Sequence, residues 1–451
     1  MLIEFSIQNF GPVKSKQTLS FEATKDEHLA DYYIIPTKIK GLKLLKLGLI
    51  YGANASGKTT ILLALDFLRD IILNPKGEKN TPFQFEPFLF DKKTPDKNTI
   101  FNVSFIQNNI RYDYEVELNK KAIVKEKLDF YSPNKANVFT RTSDVKKQYT
   151  DNINFGTKIR KNKNAEDILK ANTLWNNTVI GGFVKTNIEN KELKDVRDWF
   201  SSYLIPIIHP RVTLSNYITE LLKKEMGSLN KKDIVDILKV ADFGVSDLII
   251  KTEKAEIHPD LINVTKIFKK EIVKEFNEAI NKNEYINNMG IDVNINDGTL
   301  LQTKVAFEHI VNKERYELPS ENESQGTQRY YELAGILLLL IKNSLMFSID
   351  ELETSLHPDL FRHFLLSFLV YSKSSQIIAT THNREILNDR DIFRNDAIWI
   401  TNKDKESATQ LYSLSDFDSS VIRNTTNIYN AYKIGKLGGV PNLSNHYIGT
   451  K

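Results

Sequence analysis

Gly52-Ala53-Asn54-Ala55-Ser56-Gly57-Lys58-Thr59 constrains this chain more than any other stretch, because it satisfies G-x-x-x-x-G-K-[ST] at every required position. The motif works only between a buried strand and a helix. Leu44 to Tyr51 is an apolar, strand-like run, and Thr59 to Leu73 carries apolar residues at helical spacing, so both flanks are present. Gly52 and Gly57 let the backbone wrap closely around phosphate oxygens, and the following helix turns unpaired N–H groups and its positive dipole end toward the anion. In this pattern Asn54, Ala55 and Ser56 line the loop, Lys58 reaches the β- and γ-phosphates, and Thr59, followed by Thr60, offers a hydroxyl to Mg²⁺.

Composition narrows the remaining classes. The length of 451 residues suggests two or three domains. With 61 Lys+Arg against 57 Asp+Glu, the net charge of +4 argues neither for nor against nucleic acid. The sequence has no cysteine, which excludes disulfides, thiolate metal sites and cysteine nucleophiles. The apolar run Leu333 to Ile341 is far shorter than the roughly 20 residues that span a bilayer. The stretch MLIEFSIQNFG lacks the pattern of a secretory leader. A soluble cytoplasmic protein without a membrane partner is expected.

Residues 2–7 and 18–23 alternate apolar and polar side chains around Phe10-Gly11-Pro12, which predicts antiparallel strands leading into the phosphate loop. Beyond the first helix, Asn74-Pro75-Lys76-Gly77 breaks the pattern, and TPFQFEPFLF (81–90) places Gln84 among aromatics. Thr99–Ile106 and Ile110–Leu118 alternate well across Gln107-Asn108-Asn109, a hairpin. From about 125 to 170 the chain is polar and basic, with Lys146, Lys147, Lys158, Arg160, Lys161 and Lys163 close together; this reads as a solvated loop, a nucleic-acid groove being the alternative. Residues 190–285 carry helical periodicity, including Lys231–Val240 and Leu261–Ile280, and 291–317 returns to alternating strands.

Ser344 to Ile349 predicts a buried strand ending in Asp350-Glu351. A carboxylate at the carboxyl end of such a strand, in a chain with a phosphate loop, suits Mg²⁺ binding, and a glutamate one residue on suits a general base for water. Gln376 to Thr381 is a further apolar run, and it delivers His382 to a strand end, where it can donate to a γ-phosphate. Ser324-Gln325-Gly326-Thr327 opens a helical run from Arg329 to Ile341, so Ser324 and Gly326 make a second anion-binding helix end. One nucleotide needs one such end, so the second makes sense if it serves the nucleotide of another subunit.

Together these residues resemble the ABC-type ATPase heads of SMC-like and RecF-like proteins. Gly52–Thr59 stands as Walker A, Ser324–Thr327 as the signature, Asp350-Glu351 as Walker B and His382 as the switch histidine. The forms Ser-x-Gly-Thr-x-Arg, Asp-Glu-x-Glu-x-x-Leu-His-Pro and Thr-Thr-His-Asn, with the tail residues 394–399 and 432–441, resemble the AAA-15/AAA-21 branch. That branch includes OLD nucleases, abortive-infection ATPases and the ATPase subunit of the PARIS anti-phage system. The resemblance covers about 1–125 and 300–451. It implies an α/β fold: an ABC-type head split between 1–125 and 301–451, with an antiparallel β subdomain and a mainly helical insertion over 126–300. It also implies ATP and Mg²⁺ as cofactors, a homodimer or higher oligomer, and a glutamine in the Q-loop, for which Gln84 is the candidate.

Three functions follow from the same head. The first is a defence ATPase controlling a separate nuclease or toxin from the same operon. The second is an OLD-like nuclease, for which Asp389-Arg390-Asp391 and Asp416-Phe417-Asp418 are the available carboxylates. The third is a RecF-like DNA-repair ATPase, supported by the basic 141–163 stretch.

Overall fold

Leu47–Gly52, every residue of it buried, is the middle strand of a five-stranded sheet. Met346–Ile349, Gln376–Thr380, Leu47–Gly52 and Ile398–Lys403 lie side by side in parallel, and Thr409–Ser413 closes the edge antiparallel. Strands buried on both faces read as continuous apolar runs, which is how three of them are visible in the sequence. Parallel register brings their carboxyl ends to one edge, where ligands of open α/β sheets bind. The computed structural model describes residues 1–157, 163–225, 229–254, 291–293, 300–417 and 427–441.

This sheet belongs to a compact unit made of Met1–Pro210, Ser344–Leu352 and Lys373–Lys451. The same unit holds a seven-stranded antiparallel sheet. Its spatial order is Tyr149–Phe155, Lys135–Asp144, Ile123–Tyr131, Ile110–Leu118, Thr99–Gln107, Leu2–Gln8 and Gln17–Ser20. Asn108 and Asn109 carry the predicted hairpin at φ of +50° and +63°, the left-handed pair that a two-residue turn needs. Phe10, Phe67, Phe85 and Phe101 form an aromatic cluster with centroids 5.3–5.8 Å apart, joining the first turn and the antiparallel sheet to the Lys58–Leu73 helix. Such ring pairs contribute about 0.5–1.5 kcal/mol each beyond the area they bury.

The expectation of a solvated loop over 125–170, and of a mainly helical stretch from 126, is corrected here. Residues 123–155 are three strands that extend the antiparallel sheet. Lysines on the exposed face mask the alternation, while Leu128, Phe130, Val138, Phe139 and Ile153 fill the other face. Short helices then follow, Val179–Val184 and Lys191–Asp198. Lys158, Arg160 and Lys161 of the basic cluster lie outside the described residues.

The second unit comprises Arg211–Asn343 and Glu353–Ser372. It has the predicted Lys231–Val240 helix, capped by Asn230, and a further helix, Ser215–Lys223. It also contains a strand at Val245–Lys254, where helical periodicity was expected, paired antiparallel with Leu300–Val311. The alternation in VSDLIIKTEK is short, and its burial comes from that distant partner rather than from local pattern. The Leu261–Ile280 expectation lies outside the described residues. Gly335, on the Gln325–Lys342 helix, lets Ile218 approach so closely that a Cβ would sit 2.6 Å from it. Glu332 accepts from the backbone N–H groups of Leu214 and Ser215 (2.8 and 3.1 Å) and pairs with Arg329 at 3.2 Å, and burial pushes its carboxyl above the usual range.

Candidate nucleotide site

The loop between the Leu47–Gly52 strand and the Lys58–Leu73 helix is held in a conformation few residues adopt. Ala55 stands at φ +60° and Gly57 at +104°. A Cβ on Gly57 would lie 2.3 Å from Thr409 Oγ1, and one on Gly52 would lie 2.2 Å from Thr401 Oγ1. Glycine at these positions is therefore required by sterics as well as by phosphate approach. Ser56 and Thr401 share a hydroxyl hydrogen bond of 2.6 Å, and Thr409 Oγ1 donates to Ser56 O at 2.8 Å. Thr401 and Thr409 thus brace the loop from the two strands beyond it. Neither stands in a motif, so sequence reasoning missed both.

Lys58 is buried, and its ammonium donates to Gly52 O and Ala53 O at 3.0 and 3.1 Å. Thr59 Oγ1 donates to the Asp350 carboxylate, 3.0 and 3.1 Å from its two oxygens, and Thr380 Oγ1 donates to the same carboxylate at 2.6 Å. Thr380 Oγ1 also accepts from the Glu351 backbone N–H at 2.8 Å. Glu351 has φ +49°, a strained conformation for a side chain of this kind, and one that clusters at functional sites. His382 is exposed and follows Thr381 at the end of the strand lying between the Asp350 strand and the phosphate-loop strand.

The predicted residues of Walker A and Walker B therefore meet at one edge of one unit. Asn54 and Ala55 are exposed on the loop, and Thr60 is half-buried against Gly11. Gln84 is exposed and makes no hydrogen bond to this group; its neighbour Glu86 accepts from Gly11 N at 2.7 Å. Ser324 and Gly326 belong to the other unit, where Ser324 Oγ caps the Gln325–Lys342 helix by accepting from Thr327 N at 3.0 Å. Asp416 of the nuclease alternative closes a capping box with Ser413, and Asp418 lies outside the described residues.

The oxygen set suits Mg²⁺, a hard cation that takes one or two protein ligands and completes its shell with phosphate and water. Two hydroxyls, of Thr59 and Thr380, converge here on one carboxylate, Asp350. Among the described residues no group of three or more His, Cys, Asp or Glu could hold a metal unaided. Nor is any helix among them long and apolar enough to cross a membrane.

A tail segment also reaches this edge. The Tyr432 ring meets Tyr51 edge-on at 5.9 Å, its hydroxyl donates to Gly439 O at 2.8 Å, and Arg384 lies 5.8 Å from the ring centroid. Burial pushes the Tyr432 phenol up to about 12. Gly439, at φ +68°, packs on this edge: a Cβ there would lie 2.6 Å from Ile400 Cγ2 and in ordinary contact, 3.4 Å, with Gly52 Cα of the phosphate loop.

A family model described as "AAA domain, putative AbiEii toxin, Type IV TA system" matches residues 49–388. No curated protein matches the sequence. Solved structures similar to this chain include the SMC head domain from Thermotoga maritima, with 12% identity, a TM-score of 0.39, and coverage of 91% of this chain and 98% of that one. Another is the SmcHead bound to the C-winged helix domain of ScpA, with 10% identity, a TM-score of 0.43, and coverage of 91% and 97%.

Proposed function

Because the chain belongs to this AAA-domain, AbiEii-type ATPase family, we propose that it is a Mg²⁺-dependent ATPase that dimerises around ATP and controls a separate effector protein in anti-phage defence. The observation that carries the ATPase reading is the cluster in which Thr59, from the phosphate-loop helix, and Thr380 both donate to Asp350. Asp350 is buried and takes its donors from the first turn of the phosphate-loop helix and from the end of the neighbouring strand, which puts a carboxylate where a cation beside a polyphosphate would sit.

In this reading the loop N–H groups and Lys58 grip the β- and γ-phosphates. Thr59 and Asp350 would hold Mg²⁺, which neutralises phosphate charge as the terminal bond breaks. Glu351 takes the proton of the attacking water, its backbone pinned by Thr380 so that the carboxylate is aimed before substrate arrives. His382 donates to the γ-phosphate. Ser324 and Gly326 of a second copy complete the site from outside, and the insertion expected over 126–300, less the strands up to Phe155 that belong to the antiparallel sheet, serves as the dimerising or partner-binding lid. Gln84, exposed and bonded to none of these groups, takes no part in the assignment.

Effector control rests on the family description and is tested by purification. Glu351→Gln protein, expressed with its flanking genes and held in ATP, should retain a stoichiometric protein partner that Lys58→Ala releases. Recovery of DNA alone, or of nothing, would turn the reading toward a repair ATPase or a self-contained nuclease.

The tail contact gives a second expected result. Gly439→Val adds a β-branched side chain at positive φ and against Ile400, whose strand pairs with the one leading into the phosphate loop, a strain of about 1–3 kcal/mol passed to the loop through that strand. ATP affinity, read by titration with a fluorescent analogue, should fall about tenfold, or ~1.4 kcal/mol. Unchanged affinity would show that the tail leaves the loop alone.

A further inference from the structure

The segment Leu204–Ile208 runs parallel to the strand that ends in Asp350. Ile205 N donates to Met346 O at 2.9 Å, Ile208 N to Ser348 O at 2.8 Å, and Asp350 N to Ile208 O at 2.9 Å. Leu204 bridges Met346 and Ile208 bridges Ile349, with one extra residue on the 204–208 side, so the register beside Asp350 is set by the Ile208 bridge. Residues opposite one another in a parallel pair point to the same face, and successive residues alternate. Ile208 and Ile349, both buried, share one face. Continuing one residue past the Ile208 bridge sets His209 beside Asp350, on the other face, with backbones about 4.8 Å apart. That is the face on which Thr59 reaches Asp350.

A second contact holds this segment against the phosphate-loop helix. Asp66 stands seven residues after Thr59, on the same face of the same helix, and its Oδ1 accepts from Ile207 N at 3.1 Å. Burial raises the Asp66 carboxyl, and the bond from Ile207 N is the largest effect opposing that rise. His209 is half-buried and makes no hydrogen bond or ion pair among the described residues.

We infer that His209 is a further nucleotide-binding residue, donating a ring N–H to the γ-phosphate of ATP from the segment beside Asp350. The inference rests on the ATPase reading above. It makes His209 selective for the triphosphate, since a diphosphate presents nothing at that position.

The test is the affinity of the full chain for fluorescent ATP and ADP analogues with Mg²⁺, compared across wild type, Lys58→Ala, His209→Ala, His209→Phe and His209→Gln. His209→Ala and His209→Phe should weaken ATP about tenfold while leaving ADP unchanged, as loss of one charge-assisted hydrogen bond requires. His209→Gln keeps an N–H donor and should recover most of the difference. Because Phe keeps the ring and Gln keeps the donor, a packing role predicts the opposite order. If the ATP:ADP ratio is the same in all three His209 variants while Lys58→Ala abolishes binding, the inference falls and the ATPase reading stands. If wild type binds neither nucleotide, or Lys58→Ala binds both as wild type does, the reading fails and takes this inference with it.

Discussion

Glu351→Gln is expected to slow ATP turnover by about 10²–10⁴-fold while ATP binds as tightly as before. The amide has the size of the carboxylate but cannot take a proton from water. Nothing else in the site changes. The bond from Thr380 Oγ1 goes to the Glu351 backbone N–H, so the strained φ of +49° persists, and Asp350 keeps both of its hydroxyl donors. Asp350→Asn would instead weaken the Mg²⁺ site and lower affinity. The two variants therefore separate proton transfer from metal binding. Single-turnover release of γ-phosphate, together with a nucleotide titration, reads both quantities. Near-normal turnover in Glu351→Gln would move the base elsewhere, and equal losses of binding and turnover would reassign Glu351 to positioning the metal.

What could be read from the sequence was whatever local pattern determines. The phosphate loop, the hairpin at Asn108-Asn109 and the buried strand before Asp350 each need specific residues at short spacing, and each is where its pattern put it. The braces were not legible. Ser56 meets Thr401 across 345 residues, and Thr409 reaches Ser56 across 353, and threonine in a strand is common for its β-propensity alone. Thr380 ends a run that reads as strand, yet its double role toward Asp350 and Glu351 follows only from sheet order. The same holds for His209, whose place beside Asp350 comes from pairing between two distant stretches.

Residues 123–155 show the converse error, and they carry the second large expected effect. Arg141, in what reads as a solvated basic stretch, has a fully buried side chain, as does its partner Glu126, 3.5 Å away. Arg141 Nη2 donates to Thr150 Oγ1, Leu174 O and Trp175 O at 3.2, 3.2 and 3.1 Å. Glu126 accepts from Tyr114 OH at 2.6 Å and from Val179 N at 3.0 and 2.9 Å, which ties the sheet to the Val179–Val184 helix. Removing one partner of a buried pair strands the other charge, so Arg141→Leu should cost about 3–5 kcal/mol.

The deficit should depend on pH with a definite sign. Burial raises the Glu126 carboxyl above its ordinary 4.5, and Arg141 is the strongest of the groups opposing that rise. Without Arg141 the folded-state value climbs further. A raised folded value means that the folded state holds the proton more tightly than the unfolded chain does. The stability from that proton is fully present below 4.5 and is lost as pH rises through the folded value. Arg141→Leu should therefore unfold at a lower temperature than wild type at neutral pH, with the gap narrowing as pH falls toward 5. Adding Glu126→Gln should recover much of the loss at neutral pH and flatten the pH dependence, because a neutral amide needs no counter-charge. A gap that widened on acidification, or a double variant no more stable than Arg141→Leu, would mean that lost packing around the guanidinium, and not the stranded carboxylate, sets the cost.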